Sequence, residues 1–151
     1  MTTTARVTAA VPAELLLADD VRLPIRSLWR YDAGDPFAVH VDFDVPPDAP
    51  EHWAFARDLL AEGLDVPAGH GDVLIRPEAG HRHVTLELCG VDGSTAVLRA
   101  QSAGLVDFLR RSFAEVPAGC EQYLTDLDGW IRRTLDAGGL DTDEHRPSDW
   151  C

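Results

Sequence analysis

The alternation of apolar and polar side chains from Phe37 to Val45 is the strongest constraint on how this chain folds. Its apolar set includes Val39, Val41, Phe43 and Val45, and its polar set is His40, Asp42 and Asp44. Because successive side chains of a β-strand point to opposite faces, the pattern predicts a strand with one buried face and one wet face. Such a strand needs neighbouring strands and a layer that covers its apolar face.

Further short segments, in which residues are either mostly apolar or alternately apolar and polar, predict the neighbouring strands. These segments lie at residues 13–17, 21–31, 72–76, 83–88 and 96–100. Asp92-Gly93 predicts a tight hairpin between the last two strands, because glycine tolerates positive φ in such turns. The segment from Tyr31 to Pro36 combines glycine, aspartate and proline and predicts a turn before the alternating strand.

Apolar residues at helical spacing predict the covering layer. We expect helices at about 48–62, 101–114 and 126–136. In the first of these, Asp48 is the candidate N-cap, Trp53 belongs to the apolar face and Gly63 is the candidate C-cap. The strands and helices do not alternate one by one, so the sequence predicts an α+β fold with a mostly antiparallel sheet and about three helices.

The chain length predicts one domain. At 151 residues, with 45% hydrophobic and 26% charged residues, the chain is long enough to bury a core without disulfides or metals. We expect a single domain over residues 1–137. Residues 138–151 are rich in acidic side chains and predict a disordered tail.

The charge of the chain disfavours polyanionic partners. Aspartate and glutamate number 26 against 13 basic residues, all of them arginine, which gives a formal net charge of -13. Nucleic-acid binding draws on positive charge and counterion release, and anionic membranes repel such a surface. The sequence shows no targeting segment and no apolar run that spans a bilayer, so we expect a cytoplasmic protein without direct membrane insertion.

Two sets of side chains could in principle hold a metal ion. His81 and His83 share one face of an extended segment, and His70 or Cys89 could join them. A lone pair of this kind lacks the four-ligand spacing of zinc sites. His40, Asp42 and Asp44 form the second set, and a solvent-facing strand has the same pattern. The sequence therefore predicts no metal and no cofactor.

Catalytic motifs are not found in the sequence. Cys120 or Ser102 as a nucleophile would need a nearby histidine and an orienting acid, and no nucleophile elbow surrounds either residue. The glycine-rich segments lack the lysine of a phosphate loop, since the chain has no lysine. We therefore expect a protein without enzymatic activity.

Trp29 leaves an alternative open. It lies beside Arg26, Arg30 and Tyr31, and an exposed tryptophan among arginines could stack a base of a single-stranded nucleic acid. The net charge weighs against that function.

Three blocks of the sequence resemble a known family. They read RYDAGDPFAV at 30–39, FARDLLAEGL at 55–64 and PAGHGDV at 67–73. In this order and at this length they closely resemble the SsgA-like proteins, which regulate sporulation and cell division in sporulating actinomycetes. The resemblance runs from about Ala5 to Leu135.

The resemblance implies a fold and a role. It implies a whirly-type domain that assembles as a homotrimer and has neither enzymatic activity nor a cofactor. It implies action as an adaptor during sporulation-specific division, where family members help to place the septum, recruit the FtsZ ring or influence septal wall synthesis. Trp29, Phe37 and Phe55 are the expected apolar contributors to a trimer interface.

The shared blocks supply a candidate partner-binding surface. We expect it at five residues in the predicted turn and on the polar side of the first helix: Tyr31, Asp32, Asp35, Arg57 and Asp58. The alternative is structural, with both turn aspartates bonded to the backbone and Arg57 paired with a carboxylate. His81-Arg82-His83 is not part of the family pattern, and the paralogue class stays open.

Two functions from different classes follow. The first is a division adaptor with protein partners at the septum. The second is a whirly-like protein that binds single-stranded nucleic acid.

Overall fold

The computed structural model describes residues 5–46 and 50–122, and within them the chain forms one seven-stranded sheet, two α-helices and a short 3-10 helix at Ala18–Asp20. The strands are β1 (Arg6–Leu16), β2 (Arg22–Asp32), β3 (Ala38–Phe43), β4 (Glu51–Ala56), β5 (Val73–Pro77), β6 (His83–Cys89) and β7 (Thr95–Gln101). The helices are α1 (Arg57–Gly63) and α2 (Ser102–Glu115).

All neighbouring strands of the sheet are antiparallel. Their order is β4-β3-β2-β1-β7-β6-β5. The long hairpin of β1 and β2 lies in the middle, and β7 extends the sheet on the other side of β1. The predicted α+β fold with a mostly antiparallel sheet is confirmed.

Alternation along the strands decides which face is buried. In β3 the side chains of Val39, Val41 and Phe43 are buried, while His40 and Asp42 are partly exposed. Helix α2 covers the buried face of the sheet at β1, β6 and β7, and α1 covers it at β4 and β5. The opposite face, which we call the outer face, carries most of the sheet's charged side chains. The expectation of one buried and one wet face for β3 is confirmed.

The first predicted helix is wrong over residues 51–56. Residues 51–56 form β4, which pairs with β3 so that Phe55 lies opposite Val39 and Trp53 opposite Val41. The helix begins only at Arg57 and ends at Gly63. Trp53 and Phe55 alternate with exposed neighbours, as in a strand. The edge of β3 also offers backbone hydrogen bonds to this segment, and these stabilise a strand more than the local sequence favours a helix.

The first strand is longer than predicted, since β1 begins at Arg6 and not at Ala13, while β2, β5, β6, β7 and α2 lie close to their predicted positions. β6 and β7 form the predicted hairpin, in which Gly93 has φ of 84° and Asp92 accepts hydrogen bonds from the Ser94 backbone at 2.9 Å and its hydroxyl at 2.6 Å. The predicted helix at 101–114 is α2. The helix predicted at 126–136 and the tail at 138–151 lie outside the described residues.

A close approach fixes α1 on the sheet. A Cβ added to Gly63 would lie 2.5 Å from Ile75 Cβ of β5, so only glycine allows this contact between helix and strand. The predicted C-cap at Gly63 is therefore a packing position at the end of α1.

Candidate functional site

The turn between β2 and β3 is held by its own polar groups. The Asp32 carboxylate accepts a hydrogen bond from the Gly34 N–H at 2.8 Å and pairs with Arg6 at 3.2 Å. The Tyr31 hydroxyl donates to the Pro36 carbonyl at 2.9 Å. The Gly34 N–H, with a smaller contribution from Arg6, keeps the pKa of Asp32 below its ordinary value although burial acts in the opposite direction. The turn is thus a rigid feature of the surface.

A network of polar side chains extends from this turn across the outer face of β3 and β4. His40 Nε2 lies 2.8 Å from the Asp35 carboxylate, and His40 Nδ1 lies 3.2 Å from His52 Nε2. His52 Nδ1 lies 2.7 Å from Asp42, whose other oxygen accepts from Arg30 at 3.3 Å. We call these five residues the outer-face network. The network connects an exposed turn to an edge strand through charged and hydrogen-bonding groups.

The sequence predicts Arg57 on the polar side of the first helix, and this prediction is wrong. Arg57 is 1% exposed, and its guanidinium donates to Glu121 at 2.7 Å and to the Ser112 carbonyl at 3.1 Å. Its Cζ lies 4.6 Å from the centroid of the Tyr31 ring and 4.0 Å from that of Phe113. This position follows from the start of α1, which places the first helical side chain against α2.

Tyr31 is buried with Arg57. It is 0% exposed, and burial raises its pKa to about 12, partly offset by the nearby charge of Arg57. Tyr31 and Arg57 therefore hold the interior together and are inaccessible from the surface of the chain. The predicted surface position of these two residues is wrong.

The remaining three predicted residues are accessible, but they form two separate places. Asp32 is partly exposed and Asp35 is exposed, and both line one shallow pocket with Arg6, Arg30 and His40. Asp58 is exposed on α1 and lines a different groove. Binding of a partner by these aspartates stays a prediction.

Sequence reasoning missed the histidine pair at the centre of the network. Alternation along β3 puts His40 and Asp42 on one face, so these two members of the network have a signal in the sequence. The residue without such a signal is His52, which lies opposite Asp42 only because residues 51–56 form a strand. Predicting a helix there concealed the contact.

The proposed exposure of Trp29 is wrong. Its side chain is 0% exposed, donates from Nε1 to Ser27 Oγ at 2.9 Å, and meets Phe43 and Phe55 edge-on at 6.1 and 6.0 Å. A base cannot stack on a ring enclosed in this way, so the feature that suggested single-strand binding is part of the core. Phe55 is also buried, which leaves Phe37, 51% exposed, as the accessible member of the three expected interface aromatics.

Within residues 5–46 and 50–122, no group of three or more histidine, cysteine, aspartate or glutamate side chains is arranged to hold a metal ion. No helix among these residues has the length and apolar character needed to cross a membrane.

Two ion pairs, Arg99–Glu78 and Arg57–Glu121, predict that the stability of the fold falls at acid pH. Arg99 lowers the pKa of Glu78 below its ordinary value of 4.5 despite partial burial. Burial raises the pKa of Glu121, but the hydrogen bond and charge of Arg57 outweigh it, so this pKa also lies below 4.5. Groups with a lowered folded-state pKa stabilise the fold above their unfolded value and lose that contribution as the pH falls through the folded value.

We therefore expect the free energy of unfolding to decline as the pH falls below about 4.5. Urea unfolding over a pH series measures this decline. The Glu78→Gln variant should show a shallower decline, because it has no carboxylate to protonate at that position. A free energy of unfolding that stays constant as the pH falls well below that value would contradict the assignment.

Comparison with known proteins places the chain among proteins of cell division. The family described as Streptomyces sporulation and cell division protein, SsgA, matches residues 25–121. The sporulation-specific cell division protein SsgB of Streptomyces coelicolor is 40% identical over 131 residues, covering 85% of this chain and 95% of the relative. Its counterpart from Salinispora tropica is 42% identical over 125 residues, covering 80% of this chain and 87% of the relative.

Solved structures agree with the sequence comparison. An SsgA-like sporulation-specific cell division protein from Thermobifida fusca superposes with a TM-score of 0.76 at 34% identity, covering 89% of this chain and all of that chain. A structure described in connection with SsgB and longitudinal cell division during sporulation of Streptomyces coelicolor gives a TM-score of 0.76 at 36% identity, covering 82% of this chain and 98% of that chain. This chain therefore belongs to the SsgA family of sporulation and cell-division proteins.

Proposed function

We propose that this chain is a non-enzymatic adaptor in sporulation-specific cell division. It acts in the cytoplasm at division septa, where it helps to position or recruit the FtsZ ring or the septal wall machinery. The observation that carries the proposal is the similarity to proteins named for sporulation-specific cell division, which extends over 95% of the Streptomyces coelicolor relative.

The outer-face network supports a role in protein binding. Asp35, His40 and His52 remain partly accessible while their hydrogen bonds hold them in one arrangement. Side chains that are already ordered lose less conformational entropy when a partner binds. Charged groups in a fixed pattern also favour one partner over others. The candidate surface is thus Asp32 and Asp35 with the network, and Asp58 is a second, separate position.

We further propose that the adaptor is a homo-oligomer, a homotrimer. Phe37 supports this proposal, because a large aromatic side chain that is 51% exposed beside the turn gains from burial between chains. Light scattering after size exclusion should give three times the mass of the chain. The Phe37→Ser variant should shift that mass toward the monomer, and a wild-type monomer would contradict the trimer.

Co-sedimentation with purified FtsZ polymers tests the adaptor proposal. We expect the wild-type chain to sediment with the polymers and Asp35→Asn to sediment less, because the variant removes the carboxylate that holds His40. Glu87→Gln is the matched control, since Glu87 is a carboxylate in an exposed ion pair with Arg76 at 2.7 Å on the other half of the outer face. Absence of wild-type sedimentation would contradict direct FtsZ recruitment.

A further inference from the structure

We propose that a groove at the N-terminal end of α2 binds a carboxylate-bearing peptide segment of a partner protein. Arg82, Ser102, Ala103, Val106 and Arg110 line this groove, which we call the α2 groove. The inference rests on the proposed adaptor function and names the chemistry of one segment that the adaptor holds. The α2 groove is separate from the outer-face network, with which it shares no lining residue.

The first observation is a concentration of unpaired positive charge. Of the arginines within residues 5–46 and 50–122, only Arg22, Arg82 and Arg110 make no ion pair. Two of these three lie in the α2 groove. Acidic residues outnumber basic ones by 26 to 13 in the chain, so neighbouring arginines without an internal carboxylate partner are available to an external one.

The second observation is the uncapped start of α2. The Ser102 N–H donates to the Arg82 carbonyl at 2.9 Å, which brings the Arg82 backbone to the first turn of the helix. No side chain caps this helix and its first turn holds no acidic residue. The N–H groups of Ala103 and Gly104 therefore have no acceptor within the helix, and the helix dipole adds partial positive charge at the same place.

The third observation is an unsatisfied hydroxyl. Ser102 is 7% exposed, and its Oγ has no hydrogen-bond partner. Buried hydroxyls are nearly always paired, so an unpaired one at the start of a helix points to an acceptor that the described part of the chain does not supply. A carboxylate at the first turn accepts hydrogen bonds from the helix start and forms ion pairs with both arginines.

The surroundings favour a peptide over a nucleic acid. Val106, which is 43% exposed, and Ala103 add apolar surface beside the charges, as a peptide side chain requires. Asp107 also lines the groove, where its carboxylate is paired with Arg111 at 3.2 Å. The net charge of -13 opposes a polyanion far more than a single carboxylate.

Backbone NMR with a synthetic peptide tests the inference. The probe is a short peptide of glutamate, alanine and valine, and its control has glutamine in place of glutamate. We expect the amide resonances of Ala103 and Gly104 to shift with the glutamate peptide and not with the control. Arg82→Gln and Arg110→Gln should each weaken binding about tenfold, because each removes one charge-assisted contact. Arg22→Gln removes an unpaired arginine elsewhere and should bind as the wild type does.

Several results would overturn the inference. These are an absence of shifts at Ala103 and Gly104, equal weakening by Arg22→Gln, and shifts caused by inorganic phosphate or a DNA oligonucleotide but not by the peptide. Unchanged amide spectra away from the groove verify that each variant is folded. If an Arg82→Gln/Arg110→Gln variant no longer binds the peptide but still sediments with FtsZ, the groove is supported as a site separate from the FtsZ contact, and the adaptor function stands. If the wild-type chain binds the peptide but binds no division protein, the proposed adaptor function is wrong and the α2 groove is supported as a peptide-binding site.

Discussion

Replacing Glu121 with alanine is expected to lower the free energy of unfolding by about 3–5 kcal/mol. The reason is the burial of the Arg57–Glu121 ion pair, whose side chains are 1% and 7% exposed. Arginine cannot lose its proton at accessible pH, so removing Glu121 leaves a permanent charge in the interior. Tyr31 and Phe113 contact the guanidinium but do not neutralise it. Urea unfolding followed by circular dichroism measures the loss.

Two control variants separate the buried charge from other effects. Glu87→Ala breaks an exposed ion pair and should change stability by about 0–1 kcal/mol. The double variant Arg57→Met/Glu121→Leu removes both charges and should recover most of the loss, because an apolar pair of similar volume has no charge to desolvate. A double variant as unstable as Glu121→Ala would show that packing, and not charge, causes the effect.

Trp29→Ala is expected to cost about 3–5 kcal/mol, the range found when a large aromatic is removed from a core. Trp29 is fully buried and contacts three aromatic rings, those of Phe43, Phe55 and Phe108. Its loss also leaves the Ser27 hydroxyl without the donated hydrogen bond of the indole. Thermal and urea unfolding monitored by circular dichroism measure the change.

Leu28 provides the matched control for this substitution. It is the neighbouring residue on β2 but points to the outer face and is 43% exposed. Leu28→Ala should change the free energy of unfolding by about 0.5 kcal/mol or less. Similar losses for both variants would contradict the assignment of Trp29 to the centre of the core.

Local patterns in the sequence predicted most of the described sheet. Strict alternation in β3 and the Asp92-Gly93 turn between β6 and β7 are read from neighbouring residues, and both features lie where they were predicted. The apolar spacing of α2 is equally local. Such elements are predictable because the physical cause of each one lies within a few residues.

The sequence was misleading where a distant partner decides the structure. Residues 51–56 form a strand because β3 has an open edge, whereas Pro50 and Glu51 at the start of this segment indicate the first turn of a helix. Arg57 follows a strand and pairs with Glu121, sixty-four positions away. A charged side chain next to Asp58 looks exposed in the sequence, and only the packing of α1 against α2 makes it internal.

The candidate partner surface is likewise predictable only where its residues are close together in the sequence. Asp32 and Asp35 are recognisable as turn residues, and the structure keeps both accessible. Their connection to His40 and His52 needs the register between β3 and β4, which no motif encodes. The α2 groove is also a product of tertiary structure, since it joins Arg82 to a helix that begins twenty residues later.

Time-resolved imaging of a fluorescent fusion together with labelled FtsZ tests the adaptor account most directly. The fusion is followed through sporulation in the organism that encodes the chain. The account predicts foci that mark septum sites before the FtsZ ring or together with it. Fluorescence that stays diffuse, or that follows the nucleoid, would contradict it.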